Sequence, residues 1–402
     1  MRREDRARKK SVLRICAALT ALLLALIQLV SCSSLGTPVM TLGKTEITGS
    51  MIEFWMSRYK AQFEYSYGQS LKTAYGLSSV DSIWKVKVKD DSAETYDDMF
   101  SSYIFDNAKT YLCALYLFDQ FGLKLPDSTV KKTDETINEY VTNLADGSKS
   151  EFNAILAAYG INMKILRKLY LADEKVSYLR EYLFGSNGTE PITTQQIEDY
   201  YQKNYVRMKQ ICVFINQRPK QNEDGTYVTD SSGKTQYTTM TADENAAART
   251  KIEEALAKID GGEDFEKALS EYDENKADDG YKNGIYMSAE SSFGNDEDLQ
   301  KIYETLCEMK VGEVRELELS NSLHIIKKYE LDTGAYAKAE NSDFFLFNDG
   351  TGSYQTLQQY VKTPLFLDYI KGKLDEFSAD IKIDEEALSQ YRISKVKSNY
   401  NF

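Results

Sequence analysis

Apolar side chains return every three or four positions between about Thr95 and Phe121. Ile104, Ala108, Leu112, Leu115 and Phe118 fall on one stripe, which predicts a long helix with a single buried face. Gly122 and Pro126 end that helix, and Asp127 or Ser128 is placed to cap the next one. Before it, VMTLGKTEITGS alternates and turns at Gly43-Lys44, so a short strand precedes an amphipathic helix from Ser50. A helical pair follows over Lys149 to Phe184, broken at Tyr159-Gly160-Ile161, where glycine can take the positive φ that ends a helix.

The pattern changes after FGSNGTEPITTQQ, the clearest linker in the chain. ITTQQIEDYYQKNY reads as a capped helix leading into a strand over 207–215, RMKQICVFI. Residues 217–241 carry Asp-Gly and Ser-Gly turn signals and predict a polar hairpin excursion. Helical periodicity returns in DENAAARTKIEEALAKI and GEDFEKALSEY, then comes a short strand in GYKNGIYM and a helix near Asp296 to Glu308. VGEVRELELSNSLHIIKKYE supplies two last strands. The order strand, two helices, strand, helix, two strands is that of a small α+β domain with a four-stranded sheet. The tail reads helical around YQTLQQYVKTPLFLDYIKGKLDEF, with an interruption expected at Pro364.

With 402 residues, 42% of them apolar, the chain is long enough for two or three packed domains. Its 29 Tyr and 17 Phe invite a peptide-binding reading, but many sit at helical spacing beside Leu and Ile, where core packing is their ordinary use. The first residues differ in kind. MRREDRARKKSVLR carries seven basic and two acidic side chains, and an uncharged apolar run of 16 residues, Ile15 to Val30, follows it. That is a secretory n-region and h-region, too short for the ~20 residues of a spanning helix. The run meets Leu29-Val30-Ser31-Cys32, which resembles the bacterial lipobox. Residues 1–31 are therefore expected to be a lipoprotein signal, with Cys32 the lipidated first residue and 32–37 a tether. The signal holds a net charge of +5, so the remaining chain carries −18 against −13 for the whole. A body so acidic repels nucleic acid and anionic lipid, which leaves the lipid on Cys32 as the means of membrane attachment.

Chemistry has few residues to draw on. His324 is the one histidine, and Cys113, Cys212 and Cys307 are far apart without CxxC spacing, so no metal site is expected and each thiol is expected to be a small buried apolar residue. The sequence contains no GxSxG, no Walker glycine loop and no HExxH, and no cofactor is called for. In SNSLHIIKKYE, period-two alternation puts Leu323 and Ile325 on one face and His324 with Ile326 on the other.

Residues 191 to 331 resemble a parvulin-type peptidyl-prolyl isomerase domain. The resemblance is carried by the ITTQQIEDYYQKNY lead-in, the strand RMKQICVF, the helix GEDFEKALSEY and the ending GEV…SNSLHIIKKYE, similar to the family's GEV…GYHIIKV. Behind a lipobox and flanked by helical segments, the chain is similar to extracytoplasmic foldases of the PrsA and SurA type. The resemblance implies a helical chaperone domain over 38–186, a parvulin-like domain over 187–333, and a C-terminal helical segment over 334–402 that completes the first domain. It also implies unfolded or newly exported polypeptides as partners, at the extracytoplasmic face of a bacterial cell membrane.

Parvulins place two histidines beneath the proline site with an Asp or Cys nearby. On this resemblance His324 is the second histidine, Gln210 stands where the first would be, and Asn275 falls on the Asp/Cys position, with Asp273 and Glu274 beside it. Met287, Leu299, Ile302 and Tyr303 are the implied proline-binding residues, and Gly284 matches the last glycine of the family's GGDLG turn. Isomerisation breaks no bond, and a glutamine replaces a histidine's hydrogen bonds but not its titration, so isomerase activity is expected to be weak or lost. The other function class is a non-catalytic lipoprotein scaffold or substrate-binding protein. Mass spectrometry of the membrane-fraction protein is expected to show a chain that starts at Cys32 and carries a lipid, and Cys32→Ala is expected to abolish the lipid mass.

Overall fold

The computed structural model describes residues 37–89, 92–223, 226–275, 281–289, 296–348 and 353–402; the expected signal and Cys32 lie outside these. The fold is α+β, and the described residues divide into two compact units, one made of those in 37–192 and 362–402 and the other of those in 193–361.

In the first unit, β1 (Pro38–Leu42) and β2 (Thr45–Thr48) form a hairpin through Gly43, whose φ of 60° the turn requires. Five helices follow: α1 (Gly49–Ala74), α2 (Tyr96–Gln120), α3 (Asp127–Ala145), α4 (Lys149–Ala157) and α5 (Met163–Phe184). Thr95 opens α2 with a reciprocal capping box to Asp98, which satisfies two otherwise orphaned donors. The predicted stripe of α2 is buried along Ile104, Ala108, Leu112, Leu115 and Phe118. Near its start Phe100 joins an aromatic group with Phe63 and Trp84, whose ring centroids lie 4.7 to 5.7 Å apart. Many of the tyrosines and phenylalanines are therefore buried in this core or packed against it.

The second unit begins with α6 (Thr194–Asn204) and β3 (Tyr205–Phe214). The excursion follows as β4 (Gln217–Pro219) paired with β5 (Tyr237–Thr239). Next come α7 (Ala242–Asp260), α8 (Phe265–Tyr272), β6 (Ile285–Ser288), α9 (Glu297–Glu308), β7 (Val314–Glu318) and β8 (Ser322–Tyr329). β3, β6, β7 and β8 form an antiparallel sheet in the order β6-β3-β8-β7. On one face Ile211, Val213, Leu323 and Ile325 pack against Ile252 and Ala255 of α7 and Phe265 and Ala268 of α8. On the other, Met208, Met287 and Ile326 pack against Ile302 and Leu306 of α9. Cys113 and Cys212 are buried, but Cys307 is exposed. It follows Leu306 on α9 and points away from the sheet, which corrects the expectation that all three thiols are core residues.

The tail divides differently from the expected boundary at 334. After β8 the chain makes two short 3₁₀ turns, Ala335–Ala337 and Ala339–Phe345, then the hairpin β9 (Leu346–Asn348) and β10 (Tyr354–Thr356), and α10 (Leu357–Tyr360). All of this belongs to the second unit. The anchor is Phe345, whose ring lies 5.1 to 5.7 Å from those of Tyr201, Tyr205 and Tyr286. The chain returns to the first unit with α11 (Lys362–Glu376), β11 (Lys382–Ile383) and α12 (Glu385–Ser389). The helical break falls at Val361 and not at Pro364. Pro364 is the third residue of α11, in the first turn, where its missing N–H costs no intrahelical bond. Phe366 and Ile370 of α11 enter the core, β11 pairs with β1, and Gly49 lies so close to Tyr391 that a Cβ there would meet the phenol oxygen at 1.8 Å. Phe345→Ala is expected to destabilise the second unit by ~3–5 kcal/mol in chemical denaturation, with the first unit's transition unmoved.

Candidate functional site

The centre of the site follows from strand register. β3 and β8 pair antiparallel with Cys212 opposite His324 and Gln210 opposite Ile326, so Gln210 and His324 are diagonal neighbours on the α9 face of the sheet. Both are polar and both are buried, at 8% and 5% exposure. Such groups require partners, and they find each other: the Gln210 Oε1 to His324 Nδ1 distance is 2.9 Å. The second ring nitrogen, Nε2, lies 2.8 Å from Ser322 Oγ. Ser322 precedes His324 by two residues, so the pleat puts the two side chains on one face.

Burial pushes the His324 imidazole down to about 4, opposed only by the negative charge of Asp298 on α9. The ring is therefore neutral at physiological pH. The series Ser322, His324, Gln210 has the order of a nucleophile, base and orienting group, but a ring with so low a pKa is a weak general base.

Asn275, the residue implied for the Asp/Cys position, accepts a hydrogen bond from Tyr227 Oη at 3.2 Å. Its two predecessors are used by the backbone of β3. Asp273 Oδ1 accepts from the Cys212 N–H at 2.7 Å, the Glu274 N–H donates to the Cys212 carbonyl at 2.8 Å, and the Glu274 carboxylate accepts from the Phe214 N–H at 3.1 Å and from Lys251 at 2.8 Å. β6 pairs with β3 only as far as Met208, so this acidic segment takes over the edge that the strand leaves uncovered. Sequence reasoning missed that role because nothing in the composition of SEYDENK separates a carboxylate that caps a strand edge from one that faces a ligand.

Of the implied proline-binding residues, Met287 and Ile302 are packed in the cluster on the α9 face with Tyr303 against it, whereas Leu299 is 41% exposed. A separate cleft of ≈350 Å³ opens where β6 stops pairing, lined by Lys209, Gln210, Glu266, Asp273, Tyr281 and Gly284 among others. Gly284 is required there: its φ is 95°, and a Cβ would stand 2.5 Å from the Met208 carbonyl oxygen. Gln210 is thus shared by the buried histidine pair and the wall of the cleft. Among the described residues, no group of His, Cys, Asp and Glu is arranged to hold a metal ion.

Because the folded ring resists protonation, the unfolded chain takes up a proton first as pH falls from the ordinary 6.5 towards 4. Stability is complete above 6.5 and declines across that window, by about 3 kcal/mol in all for a shift of this size. NMR titration of the single histidine is expected to give a midpoint near 4. The stability difference between wild type and His324→Asn is expected to change across the same window and to be constant above it.

No family model matches the chain, and no curated protein matches it. Among solved structures it is similar to PrsA from Bacillus subtilis, at 19% identity and a TM-score of 0.22, with 72% of this chain and 91% of that one covered. It is also similar to the foldase protein PrsA from Streptococcus pneumoniae, at 16% and 0.21, covering 73% and 90%. A third similar structure is the peptidylprolyl isomerase PrsA from Bacillus anthracis, at 15% and 0.23, covering 71% and 100%.

Proposed function

We propose that the chain is an extracytoplasmic foldase, held to the membrane by a lipid on Cys32, that binds unfolded or proline-containing segments of exported proteins and retains weak or no prolyl isomerase activity. The observation that carries this reading is the His324–Gln210 pair, buried on the two central strands of a four-stranded sheet formed by the segments that carry the sequence resemblance. Prolyl isomerisation has a torsional barrier of ~20 kcal/mol and needs a grip on the ring and a field that favours the twisted amide, not a nucleophile. A neutral imidazole hydrogen-bonded to an amide can contribute to such a field without proton transfer. The apolar grip would come from Tyr303 and Leu299, with Met287 and Ile302 as the packed layer beneath them, and Asn275 would stand two residues beyond Asp273 of the cleft wall.

A second reading, a non-catalytic binding or scaffold protein built on the same domain, is favoured by one observation. Both nitrogens of His324 already have internal partners. A proline isomerisation assay beside an aggregation-suppression assay on the full chain separates the two. The expected result is suppression of client aggregation with a slow isomerase rate, which Gln210→His raises by about tenfold, equivalent to ~1.4 kcal/mol of barrier. A rate equal to buffer in both proteins would leave only the binding reading, and failure to hold any unfolded client would sink the foldase assignment as well.

A further inference from the structure

We infer that Ser322 is the positioning residue of this site: its hydroxyl donates to Nε2 of His324 and so fixes the ring proton on Nδ1, which donates to Gln210. The argument begins with what each partner can do. As placed, Gln210 presents Oε1 to the ring, and an amide oxygen only accepts, so Nδ1 must carry the proton. A neutral imidazole then has its one lone pair on Nε2, and the Ser322 hydroxyl 2.8 Å away is the donor for it. The two bonds differ in depth. The contact with Gln210 is buried, while that with Ser322 is partly exposed. The solvent-side nitrogen of the ring is therefore the one that the serine covers.

Leu317 of β7 and Cys212 of β3 stand opposite His324 in the sheet. Asp298 of α9 acts on the ring through its charge, while its carboxylate accepts from the N–H and hydroxyl of Ser320 at 3.0 to 3.2 Å. A molecule that approaches from solvent thus meets the Ser322 oxygen, its proton turned inward and its lone pairs outward, with the imidazole behind it. On the isomerase reading, on which this step rests, Ser322 and not His324 presents the polar atom to the prolyl segment.

The single histidine makes the test direct. Nitrogen-15 NMR of the full chain near neutral pH is expected to show Nδ1 protonated and Nε2 bare. Ser322→Ala is expected to move the Nε2 resonance and to raise the ring's titration midpoint by roughly one pH unit, because the neutral form loses a hydrogen bond that favoured it. Ser322→Thr, which keeps the hydroxyl, is expected to restore both. A wild-type proton on Nε2, with the Gln210 amide turned over, would overturn the inference, as would an alanine variant with unchanged resonance and midpoint. Should Ser322→Ala fail to fold, the wild-type and threonine proteins decide it, since a proton on Nε2 in either is the overturning result. If the spectra behave as expected and no variant has isomerase activity, the isomerase reading fails and the proton assignment stands.

Discussion

The second unit depends on the pairing of β3 with β8, which runs from Arg207↔Tyr329 to Phe214↔Ser322 through the middle of the sheet. Side chains alternate with a period of two, so a slip of one residue in either strand would exchange its faces. A slip of β8 would carry His324 into the cluster of Ile252, Ala255 and Phe265 and turn Leu323 and Ile325 towards α9, and a slip of β3 would carry Gln210 into that cluster. The apolar majority on each face opposes that slip, and the Gln210–His324 bond adds a directional term to it, because losing the bond would take from each buried polar group a partner that the interior does not replace with water. The register that buries the core is thus the same register that assembles the site.

The first unit is held by a different constraint. Its chain is interrupted after Ile192 and resumes at Lys362, so the returning segment must supply contacts strong enough to be recruited. Phe366 and Ile370 are fully buried and Phe402 meets the rings of Tyr140, Phe152 and Tyr159. Polar groups fix the path between them: Lys60 donates to the Val396 carbonyl, Arg392 pairs with Asp98, and the Asn399 N–H reaches the Ser57 carbonyl. Each buried aromatic contributes roughly 1.5–3 kcal/mol, and closing the chain over a long insertion costs little more than closing it over a short one. The interruption is therefore affordable in entropy, and residues 362–402 complete the core of the first unit.

What the sequence made legible was whatever is written in local period and punctuation. The stripe of α2, the break at Gly160, the linker before Thr193 and the alternation around His324 are all local patterns, and each has its counterpart in the structure. The boundary at 334 was not legible. Residues 335–345 are short 3₁₀ turns without periodicity, assigned to the second unit by one phenylalanine among three distant tyrosines. Pro364 misled because a proline inside an apolar run reads as a breaker unless its distance from the helix start is known. The site was half legible: alternation gave the face of His324, on which Ser322 also lies, but Asp273 acquires its role only from the edge of β3 that β6 leaves uncovered, which the sequence does not print.

Burial also decides what kind of chemistry this histidine can support. A ring meant to move protons near neutral pH needs a pKa near 7, which a neighbouring carboxylate or solvent access would supply. Here desolvation outweighs the one carboxylate near enough to act, and that carboxylate is already engaged by Ser320. The ring is left as a fixed dipole, its proton and its lone pair both committed. A fixed dipole in a poorly solvated site retains electrostatic influence, since it need not reorganise when a nearby amide changes its charge distribution. The arrangement is poorly suited to acid–base turnover and compatible with a reaction whose barrier is rotation, so the same burial that weakens His324 as a base leaves it usable where only a field is needed.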